Sequence, residues 1–324
     1  MNKYIGHQHQ LYVVEKMRLI GGKGDGMRIL NVRNGCGLEF TVSLDRCGDI
    51  SRLSLKGDNY GYFSPSGYVS PQYYDNKENG FLNSFTAGFF TTCGLTAVGS
   101  PCMDNGENLP LHGSISNTPC ENDMYWIENN EIHIKLTVRD AALFSHQLIL
   151  EREYICSTEK NEIVLKDKIK NISSSETPFE ILYHCNVGYP LLSENTVVDI
   201  PSNNVTPRNE HAKDGIESCT IMEKPQNGYT EKCYYHAMSG NAVVSVYNSD
   251  IKKGLKIKYN ADELKYFTEW KMMGENEYVL GLEPGNCLPD GRNVMRENGI
   301  LDYISSGEER NSCIKFEFTE EQQC

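Results

Sequence analysis

Apolar and polar residues alternate with a period of two through much of the chain, the pattern of strands that bury one face. Leu38, Phe40, Val42 and Leu44 alternate with Glu39, Thr41, Ser43 and Asp45. Ile132, Ile134, Leu136 and Val138 alternate with His133, Lys135, Thr137 and Arg139. Comparable runs predict strands over 146–155, 161–169, 179–187, 241–248, 254–259, 277–283 and 313–318. Turn signals such as Asn129-Asn130, Ser239-Gly240 and Asn298-Gly299 separate several of them. Only 81–90 and 293–299 read as short helices. Consecutive strands near hairpin spacing favour antiparallel pairing. Together these features predict an all-β chain built as one large antiparallel sandwich of two sheets, with few short helices. No repeat, low-complexity tract or linker interrupts it, so residues 1–324 read as a single domain. The polar, Gly-rich and Tyr-rich segments 58–80 and 201–232 are expected to be long loops at a functional rim.

Three places break the alternation. After Leu44 the apolar phase would put Arg46 on the buried face, and Leu53 and Leu55 then follow in the opposite phase. A bulge near Cys47-Gly48 would account for both. An inward arginine is costly unless paired or used; Asp45 and Asp49 are the nearest candidate partners, and a structural pair competes evenly with a ligand-binding role. In 179–188 the residues Leu182, His184, Asn186 and Gly188 share one face, so His184 and Asn186 stand together at the carboxyl end of an apolar strand. In 277–286, Val279, Gly281 and Glu283 share a face, and Gly281 leaves space beside the Glu283 carboxylate. Burial would raise the pKa of that carboxylate towards the range of a general base at neutral pH. The bland alternatives are a satisfied core histidine and a surface glutamate capping a strand end. His112-Gly113, in a polar segment flanked by Pro110 and Pro119, reads as a loop that offers an imidazole to a cleft.

Composition narrows the partner classes. The 324 residues carry 31 basic and 44 acidic side chains, a formal charge of −13, which argues against a nucleic-acid partner. A chain of this length can bury a large core without covalent staples. Its 12 cysteines include no C-x-x-C pair, so neither a zinc knuckle nor a thioredoxin-like pair is written here. No run of about 18 apolar residues is long enough to span a membrane. The first 17 residues lack the continuous apolar region of a signal peptide. These features fit reduced thiols in a cytoplasmic protein.

With these residues in view, the sequence resembles the aldose 1-epimerase (galactose mutarotase-like) superfamily. More closely it resembles a divergent bacterial branch of unknown function. The resemblance rests on segments 26–50, 89–95, 109–119, 182–192 and 269–292, which are specific as a set. It implies a galactose mutarotase-like β-supersandwich and an isomerase of the mutarotase type, acting on a free sugar or sugar derivative by general acid–base ring opening and reclosure. By motif position it puts the base on Glu283, the acid on His184 and a substrate-positioning histidine on His112. Arg46, Asn186 and Arg292 become candidates for binding sugar hydroxyls, and Glu269 is placed with them. Ser114 stands where an arginine often follows the His-Gly pair, and the Gly-Phe-Asp continuation of the galactose enzymes is absent, so the substrate is expected to differ.

This chemistry requires no metal or organic cofactor. The expected partner is a small-molecule carbohydrate, with no nucleic acid and no membrane; a homodimer is compatible with the sequence. Two other functions use the same pocket. His112, His184 and Glu283 could hold a divalent metal in an isomerase, epimerase or lyase acting on a keto sugar. Alternatively, the chain could bind or sense carbohydrate without catalysis.

Overall fold

The period-two pattern decides which faces pack. In the computed structural model, which describes residues 3–320, it yields two large antiparallel sheets. Eight strands run in the order Cys120–Glu128, Glu131–Ala141, Gln147–Ser157, Glu162–Asn171, Glu309–Thr319, Lys253–Asn260, Asn241–Asn248 and Thr196–Asp199. Six run in the order Asn204–Pro207, Lys232–Ala237, Tyr266–Gly274, Glu277–Gly285, Glu180–Val187 and Phe90–Leu95. The inner faces meet through side chains from both sheets: the Phe90 and Phe316 rings lie 6.2 Å apart and those of Tyr259 and Phe267 6.1 Å. Ile132, Ile134, Leu136 and Val138 are fully buried among them, each contributing on the order of 1.5–3 kcal/mol through burial. A meander of five strands, Val13–Arg18, Arg28–Arg33, Leu38–Ser43, Asp49–Leu55 and Asp58–Asn59, forms a third sheet. Met1, Asn2 and Cys324 lie outside the described residues.

Every residue of the Glu180–Val187 strand is buried. Its odd-numbered side chains enter the sandwich, while its even-numbered ones are covered by loops on the other side. Tyr183 reaches inward to a charged group in the core, where Arg152 uses all five of its N–H donors. Its Nε and one Nη2 proton go to Asp167, at 2.9 and 2.7 Å. The others go to the Cys47 carbonyl at 3.1 Å, Asp49 at 2.7 Å and Thr92 Oγ1 at 2.8 Å. Tyr183 OH donates to Asp167 at 2.8 Å.

The structure corrects several local expectations. Segment 81–90 is not helical: a 3₁₀ turn covers Gly80–Asn83, and Ala87 and Gly88 take φ of 61° and 75°, which no right-handed helix accommodates. The α-helices among the described residues are Glu210–Lys213 and Arg292–Glu297. Cys47-Gly48 is a tight reversal, with Cys47 at φ 55° and Gly48 at φ 69°, and it preserves the phase; the phase change comes instead from a register irregularity opposite Thr41 and Val42, where Ser51 is the extra residue between the partners Ile50 and Arg52. A Cβ on Gly48 would lie 2.0 Å from Leu136 Cδ1. The eleven described cysteines are free thiols. Among the described residues, no helix is long and apolar enough to cross a membrane.

Candidate active site

The outward face of the six-stranded sheet is assembled from alternate residues of neighbouring strands. Glu283 stands opposite Thr268, and Gly281 opposite both Trp270 and Asn186. Residues directly opposite in an antiparallel pair share a face, so His184, Thr268, Trp270 and Glu283 converge. They form the floor of a cavity of about 400 Å³. Phe81, Phe85, Leu111 and His112 wall one side, and Arg208, Glu231 and Cys233 are on the lining as well. The long 201–232 segment thus contributes to the rim through Arg208 and Glu231. A larger open groove, about 1110 Å³, runs along the N-terminal sheet. Its His9, Arg33, Glu39 and Arg52 stand in solvent and its Glu15 is half-buried, so it lacks a fully buried acid–base pair.

His184 Nε2 lies 3.2 Å from Glu283 Oε1, and both side chains are almost wholly buried. Gly281 makes this approach possible, since a Cβ there would sit 2.3 Å from Glu283 Oε1 and 2.9 Å from Trp270 Cβ. On this face four buried polar atoms form no hydrogen bond with the protein: Glu283 Oε1, His184 Nδ1, Asn186 Oδ1 and Thr268 Oγ1. Leaving buried polar groups unpaired costs on the order of 1–3 kcal/mol each. Such a concentration marks a place that a polar ligand completes.

Burial sets the protonation of the pair. It pushes the Glu283 carboxyl well above the usual carboxylate range, with the positive charge of Arg208 pulling the other way. It pulls the His184 imidazole down to about 4, an effect that the neighbouring Asn186 side chain opposes. Burial thus favours the neutral form of both side chains. Burial also drives His112 well below the usual histidine range, reinforced by His184. Its Nδ1 accepts from the Gly99 N–H at 3.3 Å. That bond places the His112 proton on Nε2, as a donor. The His112 ring packs 5.6 Å from that of His184 and 5.2 Å from that of Phe81. At the rim, Trp270 Nε1 donates to Glu231 at 2.6 Å. Arg208 is held by Asp290 at 3.1 Å and by Ser100 at 2.9 Å.

The residues singled out from sequence are divided by the fold. Glu283, His184 and His112 come together in the cavity. Asn186 lies beneath it and donates 2.8 Å to the His184 carbonyl, so it supports the histidine from behind. Arg46 lies elsewhere. Its Nε donates 2.6 Å to the Ser116 carbonyl and its Nη1 2.9 Å to that of Val69. Its expected partners are taken: Asp45 binds Arg28 and Asp49 binds Arg152. Burial lowers the Arg46 pKa to about 10, and the arginine ties loops together. Arg292 is also outside, locked to Asp104 at 2.6 Å and Glu107 at 2.5 Å. Glu269 points to the opposite face of the sheet, where it meets His236 at 3.0 Å. Strand alternation explains the miss: Thr268 and Trp270 face the cavity, so Glu269 between them cannot. Arg208 and Glu231 carried no periodic signal because they sit in a loop.

The same fold has been seen in other chains. Residues 24–318 match the model of DUF4432, a domain of unknown function. The chain belongs to the DUF4432 family. No curated protein matches it. Among solved structures, this DUF4432 chain is similar to a provisionally assigned aldose 1-epimerase from Klebsiella pneumoniae subsp. pneumoniae. The TM-score is 0.90 at 24% identity, over 96% of this chain and 84% of that one. It is also similar to a galactose mutarotase-like protein from Clostridium acetobutylicum, with TM-score 0.70 and 13% identity over 96% and 99% of the two chains. A galactose 1-epimerase from Lactobacillus acidophilus gives TM-score 0.61 and 14% identity over 96% and 99%. At these identities the likeness establishes a galactose mutarotase-like fold.

Proposed function

We propose that the chain interconverts the anomers of a free aldose or a close aldose derivative, with Glu283 and His184 as the acid–base pair. The observation that carries this reading is the 3.2 Å approach of His184 to Glu283 on the floor of a covered cavity. Ring opening of a hemiacetal moves two protons at two oxygens attached to one carbon. A donor and an acceptor this close match that demand. The aldose 1-epimerase and galactose 1-epimerase names of structures sharing the fold support the same substrate class.

The steps balance without an external reagent. The resting proton sits on Glu283, which burial favours; its relay to His184, 3.2 Å away, through a hydroxyl of the bound sugar gives a carboxylate and an imidazolium that the sugar hydroxyls solvate. Glu283 then takes the proton of the anomeric hydroxyl while His184 gives its proton to the ring oxygen. The bond from C1 to the ring oxygen breaks and a carbonyl forms. Rotation about C1–C2 presents the other carbonyl face, and the reverse transfers close the ring and restore both residues. Arg208 favours the carboxylate form of Glu283 through its charge. His112 offers its Nε2 proton to a sugar oxygen, and Trp270 gives the ring an apolar wall. The test is anomer exchange followed by NMR across a panel of free sugars and sugar acids. Wild type accelerates exchange of at least one, and Glu283→Gln, still folded, does not. Binding without acceleration would assign the chain to carbohydrate sensing.

A further inference from the structure

On the opposite face of the catalytic sheet, Cys219, His236 and Glu269 are all buried, and one ligand atom from each lies within 4.8 Å of the other two. We propose that these three residues form a site for a soft divalent cation of the zinc type, separate from the sugar cavity. Thiolate, imidazole and carboxylate are the donors that zinc selects. Tetrahedral bonds of about 2.0–2.3 Å put ligand atoms roughly 3.3–3.8 Å apart, so closure asks about an ångström of side-chain movement.

Three observations point to a ligand here. The first is an unfilled oxygen: Glu269 is fully buried, His236 Nε2 lies 3.0 Å from its Oε2, and its Oε1 has no partner. The second is orientation. His236 Nδ1 meets Ser202 Oγ at 3.1 Å, which fixes the ring with Nε2 towards the cluster, the outer-shell arrangement of metal-binding histidines. The third is how Cys219 is held. Lys271, two residues from Glu269 on the same face, donates to the carbonyls of Ser218, at 3.2 Å, and Ile221. That clasps the covering loop so that the thiol lies over the sheet. The Lys271 charge is itself met by Glu223 at 2.7 Å. A divalent ion bound to one thiolate, one carboxylate and a neutral imidazole leaves no net charge in the interior, as burial demands. The thiol releases its proton to solvent as the ion binds. The second oxygen of Glu269 completes four-coordination.

The test uses the full chain, stripped with a chelator and titrated with zinc or cobalt(II). One ion per chain is expected, and the cobalt form should show a near-ultraviolet thiolate charge-transfer band. Cys219→Ser should abolish the band and His236→Gln should release the ion, whereas Cys313→Ser, at an exposed thiol, changes neither. Ser202→Ala should weaken binding about tenfold, which keeps the proposal testable if either ligand variant fails to fold. Glu283→Gln, in the cavity, should leave stoichiometry and spectrum intact. The proposal is overturned if wild type binds no stoichiometric ion, if the band survives in Cys219→Ser, or if Glu283→Gln loses the ion.

Discussion

Adjacent residues of one strand serve two buried polar groups of opposite character. Tyr183 points into the sandwich and donates to Asp167 in the Arg152 group. His184 points out into the cavity beside Glu283. Around Arg152 every donor is used, and both Asp49 and Asp167 are bonded. Around His184 four polar atoms remain without partners. Burial alone therefore does not mark function, since both groups are deeply buried. What separates them is whether the hydrogen-bonding capacity is filled by the protein or left for something that arrives.

This contrast can be broken by substitution. Arg152→Met would leave Asp49 and Asp167 as uncompensated buried carboxylates. It should cost about 3–5 kcal/mol, read as the shift of a urea unfolding curve; a loss below about 1 kcal/mol would show that the group is not what holds the sheets together.

Glu283→Gln should do the reverse: anomer exchange falls about 10²- to 10⁴-fold with no loss of stability. Its pH dependence has a definite sign. Folding raises the Glu283 pKa above 4.5, so its contribution is present below 4.5 and lost as pH rises towards the folded value. Glutamine does not titrate, so the variant should gain on wild type as pH climbs through that range. His184 behaves oppositely. Folding lowers it from 6.5 to about 4, so stability is intact above 6.5 and lost as pH falls towards 4. His184→Asn should flatten that acid limb of the thermal-denaturation profile.

Gly281→Ala should fall between the two classes. The new methyl would collide with Glu283 Oε1 and Trp270 Cβ. An overpacking cost of about 1–3 kcal/mol should appear in both the unfolding curve and the exchange rate. Arg292→Lys should have the smallest effect. It loses part of the fork onto Asp104 and Glu107 and about 1 kcal/mol of stability, while sugar kinetics remain unchanged because the residue lies outside the cavity.

The fold was legible because alternation is a local signal. The predicted strand over 241–248 coincides with Asn241–Asn248, and 146–155 lies within Gln147–Ser157 apart from its first residue. The polar residues that interrupt that signal, His184 and Glu283, line the same cavity. The signal failed where the deciding contact is long-range. Arg46 breaks the pattern just as a ligand-binding arginine would, yet it is satisfied by carbonyls 70 and 23 residues away. Glu269 shows the opposite failure, because the phase of the Tyr266–Gly274 strand already excluded it from the Trp270 face. Arg208 reaches the rim from a loop, where no periodicity exists to read.

The most direct measurement compares anomer-exchange rates of wild type, Glu283→Gln, His184→Asn and the double variant under one set of conditions. If the unfilled pair is a single chemical unit, each single change removes nearly all of the acceleration and the double change removes no more. Near-wild-type rates in either folded single variant, or losses that multiply in the double, would contradict it.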